Sequence, residues 1–551
     1  MKDLPFEIWS QIYSHLPPSQ VSRLCGVNRA FFECAMSAKY RDLHVGGIID
    51  EDLYVALAGL HRNPAVSSRV HSIFLDILNF KTFLLLFTEK FLPHKDVQFK
   101  QGGSLRLGRL RISTFHGADK QDLDRERFRV LESLTISIGS VYHYVPFRQQ
   151  PYLVRSAQRF WRSIGYSSLT SLDLSVPIEV YRDDLIPPEI HISTLCNLTL
   201  HIWSGYAATT DYRLQLSTKL APFINRHSAS LLRLSIIVEE AYFRSVPYYY
   251  SSSTLFEHVK ALPRLEAFSI REPLLTPSQT DLAYLEKFLR THSRQLKELT
   301  LHLLHSLHHD RWSLENDGGT PSVHKFTASD LESLPLFDPT SISFPLLQNL
   351  DFAVFGDYSA PSEFPLALYL RLLRGTPNFP GSSLTHLTLR HNQLDPQDAL
   401  TILRQFSTQT QPRSSTSILR PTVSHTTSFL VEVSISVAHL QPSFLRSLEE
   451  GLPRLRKLEL DIWRFKLDEG PSAGTLSTSS RAIIFLKDPA PIEDQLLQHT
   501  FREWDLRRLM ITNRGFVERH GHVRREVLAS IFPDVEELVY EMREIQMLSL
   551  E

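Results

Sequence analysis

Residues able to do chemistry are few in this sequence and poorly grouped for it. His302, His305, His308 and His309, followed by Asp310, form the one concentration of metal-ligand types. His302 is predicted on a strand and the others in a polar loop, so the spacing gives no closed tetrahedral set and no metal is expected. His520-Gly521-His522 is thinner still. Three cysteines occur, Cys25, Cys34 and Cys196, with no C-x-x-C pair, which argues against a disulfide framework or a cysteine zinc site. Cys25 and Cys34 fall at apolar helical positions, whereas a reactive thiol needs exposure and a polarising neighbour. No phosphate loop or H-E-x-x-H helix is present. The chain is therefore expected to be non-catalytic and to need no cofactor.

Residues suited to binding lie instead within a recurring pattern, L-x-x-L-x-L, with Ile, Val, Phe or Tyr allowed at the leucine positions. Copies begin at Leu107, Leu131, Leu169, Leu195, Leu231, Leu265, Leu296, Leu347, Leu384, Leu430, Leu455, Leu506 and Val535, after a first trace near Val70. Following the second leucine come Thr135, Asp173, Thr199, Ser235, Ser269, Thr300, Asp351, Thr388, Ser434 and Glu459. One column further lie His201, Arg271, His302 and Arg390, then Asp461 and Glu541. Arginine pairs well with carboxylate and phosphate, so His201, Arg271, His302 and Arg390 are expected to hold an acidic or phosphorylated segment of a target.

The elements that would position these residues follow from the periodicity. Each copy reads as a short strand with alternate residues turned inward, and a helix or loop returns the chain to the next rung. The fullest copy, at Leu384, adds Asn392 and Leu394 and resembles the long form of a leucine-rich repeat. Pro263, Pro345, Pro453 and Pro533 precede strands, where proline ends a helix and favours an extended start. Ser443 to Leu460 makes the most complete unit, with Phe444, Leu445 and Leu448 on one helical face, and Asp281 to Leu289 is another predicted helix. Segments near 305–343, 407–428 and 466–500 are rich in Gly, Pro, Ser and Thr and read as loop insertions.

The first forty-odd residues are of another kind. Pro5 suits a first helical turn, and Leu4, Ile8, Trp9, Ile12, Tyr13 and Leu16 recur at spacings of three and four until Pro17 and Pro18. Ser19 and Asn28 are predicted to cap two further helices, with Gly26 turning the chain left-handed between them. Three helices of this size have too small an interior for so many apolar side chains, so one face awaits a cover. Leu4-Pro5-x-Glu7-Ile8, Ile12, Leu16-Pro17, Val21, Leu24, Val27-Asn28-Arg29 and Phe32 resemble an F-box. Trp9 is bulkier than that family's usual aliphatic, and Tyr40-Arg41 stands where a Trp is common. The resemblance implies docking on the S-phase kinase-associated adaptor of SCF ubiquitin ligases, and through it a cullin. Leu4, Pro5, Ile8, Ile12, Leu16, Val21, Leu24 and Val27 would then have adaptor-contacting or helix-packing roles.

The expected fold is α/β: a three-helix F-box over 1–48, then an irregular leucine-rich-repeat solenoid over 49–551, a curved parallel sheet with helices outside. The function this implies is that of an SCF substrate receptor, whose repeats present an unknown protein target. The alternative is a leucine-rich-repeat scaffold outside any ligase, its N-terminal helices acting as a cap. With 42% hydrophobic and 22% charged residues and a formal net charge of -1, the chain offers no global attraction to nucleic acid or anionic membrane, and neither is an expected partner. Runs such as Phe83 to Phe87 are too short to span a bilayer, and the start lacks a signal peptide's apolar core. Cytoplasm or nucleus, or both, is the expected location.

Overall fold

The computed structural model describes residues 5–17, 20, 23–24, 26–45, 69–76, 130–137, 158, 161–162, 164–165, 167–182, 186, 190–203, 212–238, 252–274, 279–305, 342, 344–355, 384–406, 430–463, 465–466, 490–498, 500–501, 504–513 and 523–542. They fall into two compact units, Met1–Leu265 and Glu266–Glu551. Both are mixed α/β, with an open, all-parallel sheet whose strands follow one another in sequence order.

Among the described residues the first unit begins with two full helices, and Gln20, Arg23 and Leu24 between them are helical as well. The carbonyl of Pro5 accepts from the N–H groups of Ile8 and Trp9 and starts α1 (Phe6–Ser14), while the Asn28 side chain accepts from the Phe31 N–H at 2.8 Å and caps α2 (Arg29–Arg41). Gly26 does not adopt the left-handed conformation expected of it. The chain reverses there through a tighter turn, in which the Val27 N–H donates to the Leu24 carbonyl at 3.0 Å. The rings of Trp9 and Phe31 meet at 5.1 Å and hold α1 against α2, with Phe31 buried.

Helix α2 runs straight into β1 (Asp42–Val45), a strand that the leucine pattern does not mark. Pairing creates it: β1 lies parallel to β2 (Ser72–Asp76), Ser72 hydrogen-bonds the Asp42 carboxylate, and Arg69 forms an ion pair with Glu33 on α2. The end of the 1–48 segment is thus the first strand of the sheet. β3 (Ser133–Ser137), β4 (Ser171–Pro177), β5 (Asn197–Trp203) and β6 (Arg233–Val238) continue it.

The second unit carries β7 (Ala267–Leu274), β8 (Glu298–His305), β9 (Asn349–Phe355), β10 (His386–Leu394), β11 (Glu432–Val437), β12 (Lys457–Ile462), β13 (Arg508–Asn513) and β14 (Glu537–Met542). From β2 onward each strand begins two residues after the first leucine of a copy. Those leading residues, from Val70 and Leu131 to Leu455 and Leu506, are buried, and Val535 is half-buried. The copy at Leu107 lies outside the described residues.

The start of a rung is built by backbone chemistry that repeats. Leu262, Phe344, Leu452 and Phe532 each accept, through the carbonyl, the N–H of the residue three positions on. Each of these four turns holds a proline second, where its fixed φ suits a β-turn. The proline therefore aims the leading Leu or Val inward, which is more than ending a helix. One carbonyl per rung then accepts two N–H groups from the next: Glu132 from Thr170 and Ser171, Val431 from Arg456 and Lys457, Arg456 from Arg507 and Arg508. Alternate strand residues such as Leu458, Leu460 and Ile462 turn inward beneath helices such as Pro442–Gly451, whose Phe444, Leu445 and Leu448 are buried.

Two buried histidines serve the same layer. His227 Nδ1 bonds the Phe223 carbonyl at 2.8 Å, and its Nε2 accepts the Ile192 N–H at 3.0 Å, joining one rung to the one before. His292 Nδ1 repeats the first bond, to Phe288 at 2.7 Å. The two histidines share the pattern F-x-x-x-H-S-x-x-L, beginning at Phe223 and Phe288, so the sequence itself carries a signal for both.

The insertion expected over 466–500 ends in a helix, Ala490–Leu497, because Ile492 and Leu496 lie four apart and both bury. Its Glu493 grips Arg524 through both carboxylate oxygens and also accepts the Arg524 backbone N–H at 2.8 Å, capping the helix Arg525–Ile531. Among the described residues no helix is long and apolar enough to cross a membrane.

Candidate protein-interaction surfaces

Two surfaces contain the residues that the sequence singled out. The first is the outer side of α1 and the turn before α2. Trp9, Tyr13 and Leu16 are partly covered, whereas Ile8 is 40% exposed, Ile12 39%, Val27 60% and Phe32 44%. Pro5 is exposed beside them and Leu24 is half-buried, while Leu4 and Val21 lie outside the described residues. The division has a simple cause. One stripe of α1 is spent on Phe31 and α2, while Ile8 and Ile12 remain open to solvent.

Cys34 sits on the covered side of α2. Burial, reinforced by the neighbouring Glu33 charge, pushes its thiol upward, which keeps it protonated and poorly nucleophilic. The side chain of Cys25 lies outside the described residues. Among the described residues no group of three His, Cys, Asp or Glu side chains could hold a metal, and His308, His309 and Asp310 are outside them.

The second surface is the outward face of the sheet. The residues following the second leucines form single register rows: Thr135, Asp173, Thr199 and Ser235 in the first unit, and Ser269, Thr300, Asp351, Thr388, Ser434 and Glu459 in the second. In the next row Arg271 stands directly beside His302. Arg390 is on β10 with its side chain outside the described residues, and His201 is on β5 in the first unit.

Carboxylates temper this row. His302 Nε2 lies 3.0 Å from Asp351 Oδ1, without hydrogen-bond alignment and with both atoms shut off from solvent. His201 Nε2 lies 3.7 Å from Asp173, whose carboxyl burial pushes up while His201 pulls it down. The same arrangement joins His71 to Glu132 at 3.4 Å and His386 to Glu432 at 3.2 Å. Two of these acids, Asp173 and Asp351, were legible as row members. Their approach to histidines one row away needed the register.

Toward the end of the second unit the face is a lattice of ion pairs, Lys457 with Glu432 across the strands and with Glu459 along its own, and Arg508 with Glu537 across the strands. Ser436 donates to Asp461 at 3.2 Å. Such half-exposed pairs are each worth roughly 1 kcal/mol or less, so they tune the charge of the face more than they hold it together.

A scan against protein families and a search of the curated proteins return no match for this chain.

Proposed function

We propose that the chain is a substrate-recognition subunit of an SCF-type ubiquitin ligase, with the N-terminal helices docking on the S-phase kinase-associated adaptor and the repeat sheet holding a target protein. The observation that carries this reading is the fate of the F-box-like residues: Trp9 and Phe31 are consumed in holding the helices together, while Pro5, Ile8, Ile12, Val27 and Phe32 are left to solvent. A soluble surface gains by covering such a set, roughly 1 kcal/mol for the exposed part of each large side chain. In this role the protein positions two partners, and ubiquitin transfer belongs to other subunits. No cofactor is needed.

The repeat sheet supports the second half of the proposal by offering a long polar face of leucine-rich-repeat type. The scaffold reading has one observation in its favour. Helix α2 continues into β1 and is tied to the next rung by Glu33 and Arg69, as a cap would be.

Co-purification of the full chain with the adaptor separates the two. A stable complex that survives in the wild type and is lost in a Pro5→Ala, Ile8→Asp, Ile12→Asp variant with unchanged circular dichroism supports the receptor. No complex with the wild-type chain favours the scaffold.

A further inference from the structure

The target-binding reading leaves open whether the anionic group on the partner is a carboxylate or a phosphate, and the neighbourhood of Arg271 distinguishes them. Three strands supply a small patch. Ser269, Thr300 and Asp351 lie in one row, and Arg271, His302 and Ala353 in the next. Arg271 is exposed and, among the described residues, pairs with no carboxylate. Asp351 sits two strands away, about 10 Å at the usual strand spacing, with the His302 imidazole between them.

We infer that this patch anchors the target through a single side-chain carboxylate, an Asp or Glu in an extended segment, and selects against a phosphorylated residue at the same place. The inference rests on the target-binding role proposed for the sheet. A guanidinium fork matches the two oxygens of one carboxylate, and the Ser269 and Thr300 hydroxyls in the adjoining row supply neutral donors. A phosphate carries close to two charges. Its attraction to one cation grows in proportion to charge, but its desolvation grows with the square, and the Asp351 carboxylate two strands from Arg271 repels a dianion more than a monoanion. Dianionic groups are better held by clusters of arginines, and the third position in the Arg271 row is Ala353.

The experiment uses the full chain and three fluorescein-labelled short peptides of identical length, alternating Ser with Glu, with phosphoserine, or with Gln, read by fluorescence anisotropy at low and high salt. Binding of the Glu peptide is expected to exceed that of the phosphoserine peptide by about threefold or more and to weaken at high salt. Arg271→Ala, at an exposed site, removes the advantage of Glu over Gln. Asp351→Asn, nearly isosteric, shifts the preference toward phosphoserine, with thermal unfolding followed to confirm that the variant is folded. Tighter wild-type binding of phosphoserine, no preference for Glu over Gln, or indifference to Arg271 overturns the assignment. Adaptor co-purification reads the receptor role separately, so a chain that docks on the adaptor but fails here retains that role and loses this target chemistry.

Discussion

At the scale of single residues, the groups with the most altered chemistry are structural. His227 is fully buried between a donor and an acceptor of the backbone, which leaves room for the neutral ring alone. Burial lowers it from 6.5 to about 4, against the opposing pull of the Phe223 carbonyl, and nearby His191 and Arg226 push the same way as burial. The sign follows directly. The unfolded chain takes up a proton as pH falls below about 6.5 and the folded chain does not, so stability is full above that value and declines down to about pH 4. The expected loss is on the order of 3 kcal/mol. Urea midpoints at neutral and mildly acidic pH check it, because a His227→Gln variant should be less stable at neutral pH yet show a flatter dependence. His292 is lowered for the same reason and contributes in the same direction. Glu493 is the reverse case. The hydrogen bond from Arg524 holds its carboxyl below the usual range, so its contribution is present above the ordinary carboxylate range and disappears as pH falls through its folded value. Glu493→Ala should leave the Arg524 N–H without its acceptor and speed amide exchange across Arg525–Ile531, with no such change at β4 or β5.

Elements in this chain are specified by different means. The rungs rest on a buried leading leucine and a proline turn, and these can be tested one at a time. Leu458→Ala removes a fully buried strand residue and should cost about 2–5 kcal/mol. Pro453→Gly, at the second position of the turn that closes on Leu455, should cost roughly 1 kcal/mol, chiefly by loosening the unfolded chain. Trp504 shows how far such a turn can be buttressed. Its indole N–H donates to the Leu452 carbonyl at 3.0 Å while its ring packs near Phe501 and Phe532. Substituting Phe at Trp504 removes one of the two hydrogen bonds to that carbonyl, which keeps the Leu455 N–H, and should destabilise by about 1 kcal/mol, measurable by urea unfolding. The N-terminal helices differ in kind, because their inner stripe is satisfied by one neighbour and their outer stripe is not.

For the whole molecule, the sequential parallel sheet makes stability a local sum, since each rung leans on the ones beside it. A cavity made by Leu198→Ala in the first unit should therefore raise hydrogen exchange in β4 to β6 and leave β11 to β13 as protected as before. Equal loss in both regions would show that the chain unfolds as one cooperative body. The sequence by itself determined the rungs. L-x-x-L-x-L marks every described strand from β2 to β14, because burying alternate residues on a strand leaves a period of two that any reader can see. It also determined which stripe of α1 is apolar and where Asn28 caps α2. β1 escaped notice because Asp42–Val45 holds no leucine repeat and is a strand only through Ser72, Asp42, Arg69 and Glu33. The helix within the 466–500 insertion was hidden by the polar composition around it. Tertiary structure alone decided the chemistry of the face. Asp351 and His302 sit in different rows and belong to strands separated by a long insertion, and only the register of β8 on β9 brings the carboxylate to the imidazole and leaves Arg271 as the cation still to be matched.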